Sequence, residues 1–287
     1  MKLCVTSGII KRDETGSALP FGAVVNFAKQ FGFEELDLNF DTADLACDDW
    51  RARLEEKLLR IQSAGMRVKY IHLPYDYPHA QQAEAWEVFA EATFRGIRAA
   101  KIAGADCAAI HPRTFPTANY DPDREYDNAR TFLQPFCEYA HRENVQLAVE
   151  IMRGAGASAP ARLRRFGTDT EQLIRLVDEL DEGICWDTGH ANISLQMQRR
   201  SLLKIGSRLK MVHINDNFAE DDIHLAPFLG RIDWQETMSA LREIGYAGSL
   251  NLEVSCDRLP EALRPIYASF MAESGRQLIR WFESAKQ

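Results

Sequence analysis

A single-domain α/β barrel of the (β/α)8 (TIM) type is the fold predicted for residues 1–287, and three observations predict it. Stretches rich in β-formers alternate eight times with stretches whose apolar residues recur at helical spacing. The repeat averages about 36 residues, which suits the ~250-residue length of such barrels. No shift in composition and no low-complexity run divides the chain. The rival is an open doubly wound sheet, which would carry a Gly-rich phosphate loop after its first strand. Thr6-Ser7-Gly8-Ile9 is a poor match to one.

Taken in order, Lys2–Thr6 opens as a strand. Phe21, Val24, Val25 and Ala28 mark a helix over Phe21–Phe31, stopped by Gly32. In the strand Phe33–Asn39, Leu36 and Leu38 face one way and Glu35, Asp37 and Asn39 the other. A helix over Asp48–Ala64 ends at Gly65. The strand Met66–His72 then runs into Pro74. Gln81–Ala103 is a long helix closed by Gly104, and Ala105–His111 a strand stopped at Pro112. Arg124–Arg142 reads as a helix that Pro135 would kink. Val145–Ile151 is a strand, followed by a longer loop over 152–167. Thr168 and Glu171 suggest a capping box for a helix to Leu180. Ile184–Asp187 is a strand, Met197–Ile205 a short helix and Leu209–Asn215 a strand. Asp233 caps a helix to Ile244, Ser249–Val254 is the eighth strand, and Pro260–Ser284 the closing helix.

Composition narrows the function classes. Hydrophobic residues at 46% and charged residues at 26% are a globular balance. No apolar run approaches the ~20 residues of a membrane helix. The first residues read as a strand rather than a signal peptide. The six cysteines are scattered, and Cys4, Cys107 and Cys185 fall in strands as reduced thiols, so a cytoplasmic protein is expected. A net charge of −8 disfavours nucleic acid and an anionic membrane as partners.

In a barrel the C-terminal ends of the strands converge on one mouth. Those ends carry, in order, His72, His111, Glu150, Asp187, His213 and Glu253, and the steps from Glu150 onward are 37, 26 and 40 residues. His190 follows just after Asp187, and Asp222 and His224 lie in the next loop. Five of the seven histidines thus fall on one rim, His79 and His141 being the others. Carboxylate oxygens and imidazoles delivered together suit a divalent metal. Glu150 and Glu253 end apolar strands, where an unpaired carboxylate is costly and a cation would compensate. Cys185 shares the inward face with Asp187 and reads as interior packing rather than a ligand. Arg153, Arg162, Arg164 and Arg165 in the 152–167 loop form either a lid that meets a phosphate or carboxylate, or a solvated loop. Phe115 and Phe228 sit in mouth-side loops and could supply an apolar wall, whereas Trp186 should point away from the mouth.

Val149-Glu150, Trp186-Asp187-Thr188-Gly189-His190, Val212-His213-Ile214-Asn215-Asp216-Asn217 and Leu252-Glu253 resemble the xylose isomerase-like barrel superfamily. That superfamily holds sugar isomerases and epimerases and the endonuclease IV type of DNA-repair nuclease. Asp222-Ile223-His224-Leu225-Ala226-Pro227, followed by Gly230 and Ile232-Asp233-Trp234, is similar to its sugar phosphate isomerase/epimerase branch. The resemblance implies one divalent ion (Mn, Co, Mg or Zn) held by Glu150, Asp187, His213 and Glu253. It also implies a substrate contact at His190, and dimers are common in the family, so a homodimer is an expected assembly. The nuclease branch holds three zinc ions, for which His72, His111, His190, Asp222 and His224 are candidate further ligands. Ketose 3-epimerases usually place a Glu and an Arg where this chain has Gly156 and Ala219.

The expected activity is therefore isomerisation or epimerisation of a small polyol or ketose, phosphorylated or an inosose included. It proceeds by proton transfer through a metal-stabilised enediolate. Glu150 and Glu253 are the expected acid/base pair, with His190, His72, His111 and Arg153 as substrate contacts. The alternatives are an abasic-site nuclease with a multi-zinc site, an inosose dehydratase-like lyase, and a non-catalytic metal-bound barrel.

Overall fold

The computed structural model describes residues 1–78, 82–155 and 163–284. Eight parallel strands form one sheet: β1 (Leu3–Thr6), β2 (Glu35–Asn39), β3 (Arg67–His72), β4 (Cys107–Ile110), β5 (Leu147–Glu150), β6 (Gly183–Asp187), β7 (Leu209–His213) and β8 (Leu250–Leu252). They lie side by side in chain order, and β8 returns to pair with β1. Between β7 and β8 the seam is one bridge, Ile214 to Leu252. There Ile214 N–H donates to Asn251 O (2.8 Å) and Glu253 N–H to Ile214 O (3.0 Å). The sheet is a nearly closed TIM barrel in a single domain, as the alternation predicts.

Around it run α1 (Phe21–Gln30), α2 (Thr42–Ala46), α3 (Trp50–Ser63), α4 (Ala83–Ala103), α5 (Pro122–Glu143), α6 (Thr170–Leu180), α7 (Thr188–Ile193), α8 (Gln198–Ile205), α9 (Trp234–Glu243) and α10 (Arg264–Glu283). Two of these, α2 and α7, are additions to the eight expected. Each is too short to display a helical repeat, and each is started by an aspartate. The Asp44 carboxylate accepts the Asp41 N–H (3.1 Å), and the Asp187 carboxylate accepts the His190 N–H (2.7 Å). The cap of α6 is not Thr168 but Asp169, which accepts from Gln172 N–H (3.0 Å). Thr168 instead donates its hydroxyl to Arg165 O. Asp233 caps α9 as expected, accepting from Glu236 N–H (2.9 Å). Pro135 sits on the exposed side of an unbroken α5, whose buried Leu133, Phe136 and Cys137 hold it against the barrel. No helix among the described residues is long and apolar enough to cross a membrane.

Period-two alternation builds the barrel interior. Cys4, Tyr70, Cys107, Ala109, Ala148, Cys185 and Met211 form one buried cluster, separate from the larger core between strands and helices. Two residues further along the same inward rows stand His72, His111, Glu150, Asp187 and His213. The interior therefore changes from apolar to ligand-rich at a fixed height. Trp186, one residue out of step with Asp187, is fully buried on the other face, and its indole N–H donates to Gln198 Oε1 (2.7 Å).

Candidate metal and active site

Glu150 is the centre of the mouth. It is 1% exposed, and four imidazoles close on it. Its Oε2 lies 3.4 Å from His72 Nε2, 3.3 Å from His111 Nε2 and 3.2 Å from His213 Nδ1, and its Oε1 lies 3.1 Å from His190 Nδ1. Glu253 reaches the same nitrogen from across the seam, with Oε2 3.3 Å from His213 Nδ1. Asp222 sits between His190 Nε2 (3.3 Å) and His224 Nε2 (3.1 Å), and Arg153 Nε approaches it to 3.5 Å. The donor atoms fall into overlapping triplets whose members lie within 4.8 Å: His72, Glu150 and His213; Asp187, His213 and Glu253; Glu150, Asp187 and His190; His190, Asp222 and His224. Every metal-type residue expected from the strand ends is at the mouth, and all but His111 belong to a triplet.

The imidazole protons show which ring nitrogens face the carboxylates. His72 Nδ1 is 2.8 Å from Leu73 O, His190 Nδ1 2.9 Å from Ile151 O, and His224 Nδ1 2.8 Å from Glu253 O. A carbonyl oxygen only accepts, so each Nδ1 carries the hydrogen. In the neutral ring Nε2 is then a lone pair, and in all three residues it faces a carboxylate. Two acceptors at that distance repel unless a proton or a metal ion stands between them. Glu150 Oε2, Glu253 Oε2, Asp222 Oδ1 and both ring nitrogens of His213 are buried without a hydrogen-bond partner among the described residues. Orphaned polar atoms of this kind are rare in folded proteins.

Charge responds accordingly in the mouth. Burial would drive His190 and His224 neutral, but the adjacent carboxylates outweigh it: His190 rises well above its usual value and His224 to about 10. Burial wins at His111, which falls to about 4. Burial also works to raise Glu150, yet His111 and His213 hold it well below the usual carboxylate range. Glu253 is pushed up to about 7 by burial, with His213 and His224 pulling the other way.

A second ring of residues positions these groups. Asp37 Oδ2 is 3.4 Å from His213 Nε2 and accepts from Asn251 Nδ2 (2.8 Å). Asn215 Nδ2 donates to Asp187 Oδ2 (2.8 Å), while Asp187 Oδ1 caps α7 and so fixes His190. A carboxylate behind a ligating imidazole is a usual support of metal sites. Asp37 is absent from the strand-end reading because β2 ends at Asn39; the alternation that faces Asp37 away from Leu36 and Leu38 is the signal that finds it. Gly189 lets α7 approach closely, since a Cβ there would lie 1.9 Å from Asn215 Oδ1. Asp216 is structural, accepting from Asn217, Phe228 and Ile232 N–H groups and from the Trp234 indole.

A cavity of about 300 Å³ opens beside Glu253 and His224, lined also by Lys11, Asn39, Tyr75 and Arg258. Phe115 lies edge-on to Tyr77, and Phe228 packs against Trp281 (5.5 Å) and Trp234 (6.5 Å), which turns its ring toward the helices rather than the mouth. Gly156, His79 and Arg162 lie outside the described residues.

Residues 25–284 match the xylose isomerase-like TIM barrel family, and the chain belongs to that family. Protein y4fM of Sinorhizobium fredii is 35% identical over 147 residues, 48% of this chain and 45% of that protein. D-psicose 3-epimerase of Enterocloster bolteae is 28% identical over 158 residues, 53% of this chain and 47% of that enzyme. Each match spans about half of the curated relative's length. Among solved structures, a D-tagatose 3-epimerase-like protein superposes with a TM-score of 0.73 at 18% identity, covering 98% of both chains. The IolI protein with a bound zinc atom gives 0.70 at 15% identity over 98% of this chain and 97% of that one. At those identities the likeness is one of fold.

Proposed function

We propose that the chain is a divalent-metal-dependent sugar isomerase or epimerase acting by proton transfer. One observation carries the reading: Glu150 Oε2 and Glu253 Oε2, both buried and unpartnered among the described residues, converge on His213 Nδ1 from two strands, and Glu253 lines a cavity of about 300 Å³. The donor set, three carboxylates and an imidazole, suits Mn²⁺, Co²⁺, Mg²⁺ or Zn²⁺. Glu150, Asp187, His213 and Glu253 would hold the ion. When bound, it supplies Lewis-acid stabilisation of negative charge that develops on a substrate oxygen. Glu253, the more exposed of the two glutamates, faces the cavity and takes the proton next to the carbonyl. Glu150 lies on the other side of His213 and returns it. Asp187 and His213 keep their places through Asn215 and Asp37. His190 offers its ring to a substrate hydroxyl. The epimerase names of a relative and of a fold neighbour support this class. The cavity size favours a small polyol or ketose. Ala219, where ketose 3-epimerases usually carry an arginine, leaves isomerisation, epimerisation and dehydration sharing the first proton removal.

A specific observation favours a second reading. His190, Asp222 and His224 form a ligand triplet of their own, and His72 and His111 flank Glu150, so the mouth has donors for up to three ions. Three zinc ions would suit phosphodiester hydrolysis at abasic DNA. The test is a metal count on the purified protein, with turnover measured on ketoses and inososes and on abasic duplex. Glu150→Gln and Glu253→Gln should each lose sugar turnover by about 10³-fold while metal is still partly bound. Wild-type turnover in both would end the proton-transfer assignment. Nicking of abasic duplex at trace enzyme would replace it with the second reading.

A further inference from the structure

Arg165 lies in the 152–167 loop, yet its backbone is not free. Arg164 and Thr117 exchange two backbone hydrogen bonds (2.9 and 2.8 Å), and Met152 N–H donates to Gly167 O (2.7 Å). Phe166 is 1% exposed, and Gly167, at φ +84°, packs against Met152 and Pro112. The strap of 164–167 is thereby fastened between the segments that follow β4 and β5. Its guanidinium is half-buried, with Nε donating to Thr114 Oγ1 (2.9 Å), whose own hydroxyl proton goes to Phe166 O (2.9 Å).

The terminal nitrogens of Arg165 have no hydrogen bond among the described residues, and no carboxylate there comes within 4.0 Å. Other partly or fully buried arginines have carbonyl or ring partners, although Arg113 Nε is itself without a hydrogen bond among the described residues. Arg95 donates to Leu45 O and Cys47 O, Arg264 to Leu259 O and Arg12 O, and Arg113 lies 4.1 Å over Trp86. Burial brings Arg165 down to about 10, with Tyr77, Glu150 and Asp222 pulling the other way. Tyr77 ties the two regions together, its hydroxyl donating to His111 O (3.2 Å). A guanidinium held by one nitrogen, with its terminal nitrogens open, is pre-organised to receive an acceptor. An arginine fork matches a carboxylate or a phosphate.

We propose that Arg165 receives an anionic group of the substrate, so that the sugar handled at this mouth is an acid or a phosphate ester. The proposal rests on the sugar isomerase or epimerase reading. Arg165 is a specificity residue, and it takes no part in proton transfer.

The test uses the metal-loaded enzyme, its Arg165→Gln and Arg165→Lys variants, a ketohexose 6-phosphate, a keto-sugar acid and the matching neutral ketohexose. Both kcat/KM and calorimetric affinity are measured. The ratio of anionic to neutral kcat/KM should fall about 100-fold in Arg165→Gln and less in Arg165→Lys, which keeps the charge without the fork. Whichever anion shows the loss assigns phosphate or carboxylate. An unchanged ratio, or an equal loss on the neutral ketose, overturns the proposal. If no sugar is turned over but affinity for an anionic sugar still depends on Arg165, the isomerase reading fails and the anion site stands. If abasic duplex is the only ligand whose binding or cleavage depends on Arg165, the small acidic substrate is overturned.

Discussion

At the base of the barrel, where strands begin, Glu35 is fully buried and both its oxygens are taken: Arg67 Nε donates to Oε1 (2.7 Å) and the Ser249 hydroxyl to Oε2. Lys69 pairs with Asp106. The Tyr70 hydroxyl accepts from Ser249 N–H (2.8 Å) and meets the Tyr246 hydroxyl (3.2 Å). At the mouth Glu150 is as deeply buried, yet its Oε2 has no hydrogen-bond partner among the described residues although three imidazole nitrogens lie within 3.4 Å of it. Buried polar groups that are satisfied within the protein hold a fold in one arrangement. Those left open are places where the protein awaits something it does not itself supply. Glu35 and Glu150 thus share burial and differ in satisfaction.

Stripping metal with a chelator should expose the contrast most strongly. The melting temperature should fall, by the equivalent of on the order of 4 kcal/mol for metal held ~1,000-fold above its Kd. A purified protein without metal, and indifferent to chelator and added Mn²⁺ or Zn²⁺, would erase the distinction between the two ends. Glu182, at the start of β6, sharpens it next. Its Oε2 accepts from Leu147 N–H (2.9 Å) and Gln146 Nε2 (2.7 Å), but its Oε1 has only His141 Nε2 at 3.1 Å, without hydrogen-bond geometry. Burial pushes its carboxyl up to about 8. The folded state then holds this proton more tightly than the unfolded chain, so its contribution is full below about pH 4.5 and is lost as pH rises through about 8. Glu182→Gln should flatten that slope, a change on the order of 2 kcal/mol in chemical denaturation between pH 5 and pH 9. A slope identical to wild type would mean that the base resolves this charge as it does Glu35. The smallest effect is expected from Glu35→Gln. Stability should drop by about 1 kcal/mol with metal content and turnover unchanged, because Arg67 is half exposed and a neutral acceptor remains. A loss of metal in that variant would show that the two ends are not independent.

The barrel was legible because its signals are local and repeated: apolar strands, helical spacing, and glycines such as Gly32, Gly65, Gly104 and Gly245, all with positive φ in the structure. The candidate ligands were legible because strand ends in a barrel must converge, which turns a one-dimensional spacing into a shared position. What was not legible depends on contacts between distant segments. Asp37 matters through His213, far along the chain from it, and sits two residues before its strand ends. The helix α7 has six residues, fewer than two turns, so no periodicity announces it. The tautomers of His72, His190 and His224 follow from backbone carbonyls that only the folded chain brings near. Arg165 reads as one of several loop arginines until Thr114, fifty-one residues earlier, is seen to hold it.

The join between β7 and β8 has one further consequence. Each other pair of neighbouring strands is stitched by at least three registered residues, and this one by a single bridge. A hoop made of staves resists spreading only as well as its weakest joint. His213 and Glu253 stand on either side of that joint, 3.3 Å apart. Under the proposed function, an ion held by both would act as a rivet across the last gap in the hoop. The chemistry of the mouth and the mechanical closure of the barrel would then be one and the same bond set, so that occupancy of the site sets how tightly the whole cylinder is cinched.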